Sequence, residues 1–306
     1  MNQQNEDRQI RNYDRGLYPF RSNWVRIDDN EVHFIDEGEG EAILFCHPPV
    51  ASSFMYRNMI KGLSKRFRCV ALDFPGFGLS RCGPGYIQSI ESQASIVENL
   101  LKHLNLYSVY LVMQEVGGHA AISVFMKYPN WLKGIILTDT IIFPISQYPK
   151  LSRMLNLVNS KAFNFINSNF NLLAKTLTTS AIKRRKMLLE EKNTYKAMFN
   201  TRKIRRTSTM LLHQLVEKEE LLSRIQNAFE TTFNNKPALL IYGENDSLTK
   251  LEVPQRIHGL MEHSELHFIQ GEEHFPHEGA PDEMIKIISA WVKKLTPIVN
   301  VHPQIE

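Results

Sequence analysis

Cysteine is scarce in this chain: its 306 residues include three, Cys46, Cys69 and Cys82, with no close paired spacing. That argues against a disulfide framework and a zinc ribbon, and reduced thiols are the simplest reading. No long apolar run is present, and Met1 to Gly16 are polar and charged. Neither a signal peptide nor a membrane span is therefore expected, and a cytoplasmic protein is the default. Internal repeats and long low-complexity tracts are lacking as well. What the chain does have is 43% hydrophobic content, ample for a large core in one large α/β domain or two smaller ones.

The net charge of +4 is unevenly spread. Residues 183–206 hold ten Lys/Arg (Lys183, Arg184, Arg185, Lys186, Lys192, Lys196, Arg202, Lys203, Arg205, Arg206) against Glu190 and Glu191, which leaves −4 for the rest. Such a run reads first as a solvated helical face. Contact with an anionic surface is the sharper alternative, whereas a nucleic-acid partner is not expected, because no recognition motif or aromatic stacking platform accompanies the charge.

Short β-branched runs recur at 24–27, 32–36, 42–47, 69–73, 109–113 and 134–139, and again at 238–242 and 266–269, with helical patterns between the later ones and a closing helix over 281–295. This alternation predicts an α/β fold with a mostly parallel eight-stranded sheet and helices on both faces. Reactive groups then belong beyond the carboxyl ends of the strands. The strand pattern stops between Pro144 and about Asn235, which predicts an inserted helical cap over 145–235 and a core over 18–144 and 236–296. Phe163, Phe165, Phe170, Leu172 and Leu173 are too many apolar residues for a solvated segment, so one face of the cap is expected to pack on the core, with some of these side chains lining a pocket.

Residues 111–119, Leu-Val-Met-Gln-Glu-Val-Gly-Gly-His, have the form of a sharp strand-to-helix turn that lifts one side chain, Glu115, above the sheet, with Gly117 and Gly118 allowing close approach. Five further segments accompany it: Asp36-Glu37-Gly38-Glu39-Gly40-Glu41, His47-Pro48-Pro49-Val50, Asp73-Phe74-Pro75-Gly76-Phe77-Gly78-Leu79-Ser80, and a C-terminal pair, Gly243-Glu244-Asn245-Asp246 and Gly271-Glu272-Glu273-His274-Phe275-Pro276. In order and spacing, from about Tyr18 to Leu295, these resemble the haloalkane dehalogenase and epoxide hydrolase branch of the α/β-hydrolase superfamily. The resemblance implies Glu115 at the nucleophile position, His274 as base and Asp246 as the acid that orients it, with Asp139 as the alternative acid. It also implies Val116, Pro49 and Val50 at the oxyanion and substrate-binding positions. No cofactor is implied. His277 and His274 do not read as a metal pair, because Pro276 interrupts the helix such a pair needs.

The chain departs from that branch in three places. Glutamate is one methylene longer than the aspartate of the branch, about 1.5 Å, and a misplacement of that order costs roughly 10²-fold in rate. Pro49 has no N–H to donate where a backbone donor is usual. Val116 and Pro49 also stand where the dehalogenases hold the leaving halide, and neither side chain donates a hydrogen bond. For epoxide opening, Tyr148 and Tyr195 are the acid candidates. The sequence therefore points to an enzyme hydrolysing a small, largely apolar organic substrate with water activated by His274, and Glu115 as nucleophile or second base. A catalytically silent ligand- or partner-binding protein and a lyase or decarboxylase of the same branch are the alternatives.

Overall fold

In the computed structural model, which describes residues 13–295, the alternation becomes an eight-stranded sheet in the order β1-β2-β4-β3-β5-β6-β7-β8. Residues 1–12 of the polar opening stretch and residue 296 of the expected core lie outside the described residues. The strands are β1 (Ser22–Ile27), β2 (Asn30–Glu37), β3 (Ala42–Cys46), β4 (Arg68–Leu72), β5 (Val109–Met113), β6 (Leu132–Thr138), β7 (Ala238–Gly243) and β8 (Ser264–Ile269). β2 is antiparallel to β1 and β4, and the remaining pairs are parallel.

The central strands are apolar on both sides because both sides are covered. Leu44 and Cys46 of β3 enter one core with Ile96 and Leu100 of the helix Ile90–His103 and Phe125 of the helix Glu115–Lys127. Ile43 and Phe45 alternate into the opposite core, with Ile60 of Arg57–Leu63 and Ile288 and Trp291 of Pro281–Leu295. Cys46 and Cys69 are buried free thiols, and Cys82 is exposed.

Between β6 and β7 the chain forms the helices Pro149–Asn159, Lys161–Phe170, Leu172–Thr179, Leu189–Met198, Arg202–Glu217 and Glu219–Thr231. Of the apolar residues expected to pack inward, Phe163, Leu172 and Leu173 line a cavity, whereas Phe165 and Phe170 face solvent. The basic run is likewise not one solvated face. Arg185 turns inward to Glu191 and Glu278, and Arg205 donates to the carbonyls of Ser168 and Phe199. Buried carboxylates and orphan helix-end carbonyls need cationic donors, and these arginines supply them.

Candidate active site

β5 stops at Met113, Gln114 is still extended, and Glu115 takes φ +44° as the first residue of the helix Glu115–Lys127. A non-glycine residue in this left-handed region is strained, and such strain persists only where the surroundings hold it. The holding contacts are close. A Cβ on Gly117 would lie 2.1 Å from the His47 carbonyl oxygen, and one on Gly118 would lie 2.3 Å from Met113 Cγ, so only glycine lets this helix press against both strand ends. Asp139, just beyond β6, is strained in the same way at φ +39°.

Glu115, His274 and Asp246 meet at the carboxyl edge of the sheet. His274 Nε2 lies 2.5 Å from Glu115 Oε1, and its Nδ1 lies 2.7 Å from Asp246 Oδ2. The other Asp246 oxygen accepts from Leu248 N–H and Ser247 Oγ, both at 3.0 Å, which fixes the carboxylate towards the ring. The histidine loop is anchored by Phe275 N–H to Ala181 O at 3.0 Å and by Gln114 Nε2 to His274 O at 3.4 Å. The segment inserted between β6 and β7 and the strand-to-helix turn, or elbow, at Gln114–Glu115 thus both help to place the imidazole.

Burial opposes charge on His274, but the carboxylates of Asp246 and Glu115 outweigh it and raise its pKa well above the usual imidazole value. The resting ring is therefore an imidazolium that donates from both nitrogens. For Asp246, burial acts upward, but His274 and a hydrogen bond from Asp139 hold its carboxyl well below the usual range. Asp139 goes the other way: burial first, then the neighbouring Asp246 charge, raise it well above the ordinary carboxyl value. Two adjacent buried carboxyls share one proton in this way. Asp139 Oδ1 accepts from Gly243 N–H at 3.0 Å, and the contact to His274 belongs to Asp246. Asp139, Asp246 and His274 offer ligand atoms within 4.8 Å of one another. Within this group the direct contact is that of His274 Nδ1 with Asp246 Oδ2 at 2.7 Å.

Above these groups lies a cavity of ≈ 440 Å³, floored by Glu115, His119, Asp139, Asp246 and His274 and walled by Val50, Leu151, Leu155, Phe163, Leu173 and Leu215. Of the three residues expected to bind an oxyanion or substrate, Val50 lines this cavity, whereas Pro49 and Val116 do not. The reason lies in the loop. Ala51 N–H donates to Pro48 O at 3.1 Å, closing a turn with Pro49 at its second position, where proline fits. His47 braces the turn: Nε2 accepts from Phe74 N–H at 3.0 Å, so Nδ1 carries the proton and donates to Pro48 O at 2.8 Å.

Neither expected tyrosine acid reaches the cavity. Tyr195 donates to Glu278 Oε1 at 2.6 Å and Tyr148 OH is 3.2 Å from Arg256 Nη1, both away from the lining residues. His277 is buried between the rings of Tyr56 and Phe275, and burial pushes its pKa down to about 3, so it is neutral. The residue that sequence reasoning passed over is His119. Burial keeps it largely neutral, and Nε2–H donates to Ile141 O at 2.5 Å while the ring lines the cavity. Its position one helical turn beyond Glu115 was the available signal.

Comparison with known proteins identifies the family of this fold. The family model for the alpha/beta hydrolase fold matches residues 41–281. The chain belongs to that family. Within the hydrolase fold, the chain is 28% identical over 276 residues to haloalkane dehalogenase 2 of Mycobacterium tuberculosis, covering 90% of this chain and 96% of the relative. It is 25% identical over 297 residues to a cis-3-alkyl-4-alkyloxetan-2-one decarboxylase of Shewanella oneidensis, covering 94% and 93%. The crystal structure of a haloalkane dehalogenase from Bradyrhizobium elkani superposes with a TM-score of 0.80 at 20% identity, over 90% of this chain and 98% of that one; at that identity the likeness concerns the fold. The chain is thus a hydrolase-fold enzyme related to dehalogenases and to an oxetanone decarboxylase.

Proposed function

We propose that the protein opens a carbon–oxygen bond in a lipophilic, strained cyclic substrate, an epoxide or a β-lactone, through an ester on Glu115. The observation that carries this reading is His274 held within hydrogen-bond distance of both Glu115 and Asp246, a placement that favours its imidazolium form. An acid already protonated at rest suits an oxygen leaving group, which takes up a proton. It does little for a halide, which needs a standing hydrogen-bond donor, and Val116 supplies no side-chain donor at the usual position.

In the first step Glu115 Oε2, buried without a hydrogen-bond partner, bonds to the substrate carbon. The carbon–oxygen bond breaks with its electron pair on oxygen, and His274 delivers its Nε2 proton there. Esterification removes the charge of Glu115, so the neutral His274 is now a base beside the ester. A water adds to the ester carbonyl, giving one proton to His274. The donor this reading assigns to the oxyanion is the Val116 N–H, which as a first-turn amide has no acceptor within its helix. Collapse releases the alcohol, which carries the second proton of the water, and regenerates the carboxylate and imidazolium. The relative from Shewanella is named for an oxetan-2-one, a strained ring of this chemical kind. From the intermediate on a β-lactone, loss of carbon dioxide in place of hydrolysis is the lyase variant.

The test compares turnover of long-chain 1,2-epoxides and β-lactones with bromoalkanes of equal chain length. Ring opening with negligible halide release is expected. Halide release on the order of 1 s⁻¹ or faster with inert epoxides and lactones would overturn the reading. If the substrates bind saturably and none reacts, the silent binding protein is the better description.

A further inference from the structure

The helix Lys161–Phe170 is amphipathic in the inverse sense. It buries Asn167 and Ser168, 1% and 2% exposed, and turns Phe165, Ile166 and Phe170 outward at 69%, 44% and 61%. A globular helix normally does the opposite. The orientation is fixed by the buried polar side: Asn167 Oδ1 accepts from Leu173 N–H at 3.0 Å, Asn167 Nδ2 donates to Arg205 O at 3.3 Å, and Arg205 Nη1 donates to Ser168 O at 2.7 Å. Rolling the helix to hide its phenyl rings would break all three. The preceding helix, Pro149–Asn159, exposes Leu157 at 64% and Met154 at 47%. An apolar patch of this kind marks an interaction surface.

Charge narrows the partner. Residues 149–206 contain fourteen Lys/Arg and two glutamates, Glu190 and Glu191, in a chain whose net charge is +4, so this segment carries +12 and the rest −8. Glu191 is itself buried against Arg57 and Arg185. A second copy docked face to face would set one basic segment against another, with exposed Lys161 and Lys175 on both sides. A surface that accepts exposed phenyl rings and also attracts lysines and arginines is an anionic bilayer, where apolar side chains enter the headgroup boundary and basic ones meet the phosphates. Among the described residues no helix is long and apolar enough to cross a membrane, so the contact is with its surface. Met154 belongs to the patch and also lines the cavity.

We propose that this face docks on an anionic lipid bilayer and that lipophilic substrate passes from the bilayer beside Met154 into the cavity. Docking does not depend on how Glu115 reacts. The test is flotation of the full chain with vesicles of phosphatidylcholine alone or in equal parts with phosphatidylglycerol, at low and high salt. Co-flotation with the anionic vesicles at low salt is expected. Phe165→Ser/Phe170→Ser should weaken it by at least about tenfold, the scale of losing a buried aromatic contact. Lys161→Gln/Lys175→Gln should weaken it at low salt and matter little at high salt, where screening removes the same attraction. Each variant should keep the wild-type thermal transition, since the replaced side chains are exposed. Absence of flotation with either vesicle, or binding unchanged in the double-phenylalanine variant, would overturn the proposal. So would a concentration-dependent dimer abolished by Phe165→Ser/Phe170→Ser with no vesicle binding, which would make the face a self-association surface.

Discussion

Replacing Arg57 by methionine should be among the most damaging single changes outside the candidate active site. Its guanidinium is 1% exposed and binds Glu191 and both oxygens of Glu278, the second contact with Nη2 at 3.0 Å, besides the Phe54 carbonyl at 3.1 Å. Arg185 completes the charge balance, and Tyr195 donates to the same Glu278. Burial works against ionisation of Glu191, but Arg185 and Arg57 hold its pKa down to about 2. Without Arg57, two buried carboxylates face a single arginine that is 26% exposed. Removing one partner of a buried ion pair costs ~3–5 kcal/mol, which corresponds to a fall in Tm of roughly 5–8 °C at an unfolding entropy of ~2.1 cal/mol/K per residue. Thermal unfolding followed by circular dichroism reads this directly. Arg57→Met/Glu278→Gln should recover part of the loss, because it restores neutrality. Arg57→Lys should not, since it lacks the planar fork. A fall below about 2 °C, or a loss that disappears in high salt as a surface pair would, would refute this reasoning.

Asp139→Asn should leave the protein equally or more stable at neutral pH and flatten the dependence of Tm on pH above about 4. The amide removes a carboxyl whose ionisation the fold resists, still offers an oxygen to Gly243 N–H and an N–H to Asp246, and tolerates the positive φ. A Tm loss comparable to that of a buried charge left unpaired would contradict it. Gly117→Ala should cost at least ~1–3 kcal/mol, because its Cβ would meet the His47 carbonyl oxygen at 2.1 Å; an unchanged Tm would contradict that contact. The folded pKa of His274 is raised, so its stabilisation is fully present below about 6.5 and is lost as pH rises through the folded value. The Tm advantage of wild type over His274→Gln should therefore shrink on the alkaline side. The depressed Asp246 acts oppositely, its contribution being present above about 3.9 and lost as pH falls through the folded value.

The interior of the sheet was legible because strands buried on both faces must be written in apolar, β-branched runs. β5 (Val109–Met113) matches its expected bounds, and the closing helix Pro281–Leu295 is announced by proline and two acidic residues at its start. At the sheet edges β1 and β8 begin earlier than the apolar pattern, at Ser22 and Ser264, because a half-exposed strand needs no apolar residue there. The meeting of Glu115, His274 and Asp246 was readable from motif order. Its protonation pattern was not, since that depends on the few ångströms separating Asp139 from Asp246 and Glu115 from the imidazole. Arg185 and Phe165 were misplaced for a related reason. Residue type suggested a charged side chain outside and an aromatic one inside, but the buried carboxylates of Glu191 and Glu278 draw the arginine in, and the hydrogen bonds of Asn167 turn the phenylalanine out.

Covalent participation of Glu115 is tested most directly by a single turnover of a long-chain epoxide, with enzyme in excess, in water enriched in oxygen-18. Peptide mapping of the elbow segment and mass analysis of the product then locate the label. The ester route predicts oxygen-18 in the Glu115 carboxylate and unlabelled oxygen added to the first-turnover product. Label found in the product, with none in Glu115, would mean that water attacks the substrate directly and that Glu115 is not the nucleophile.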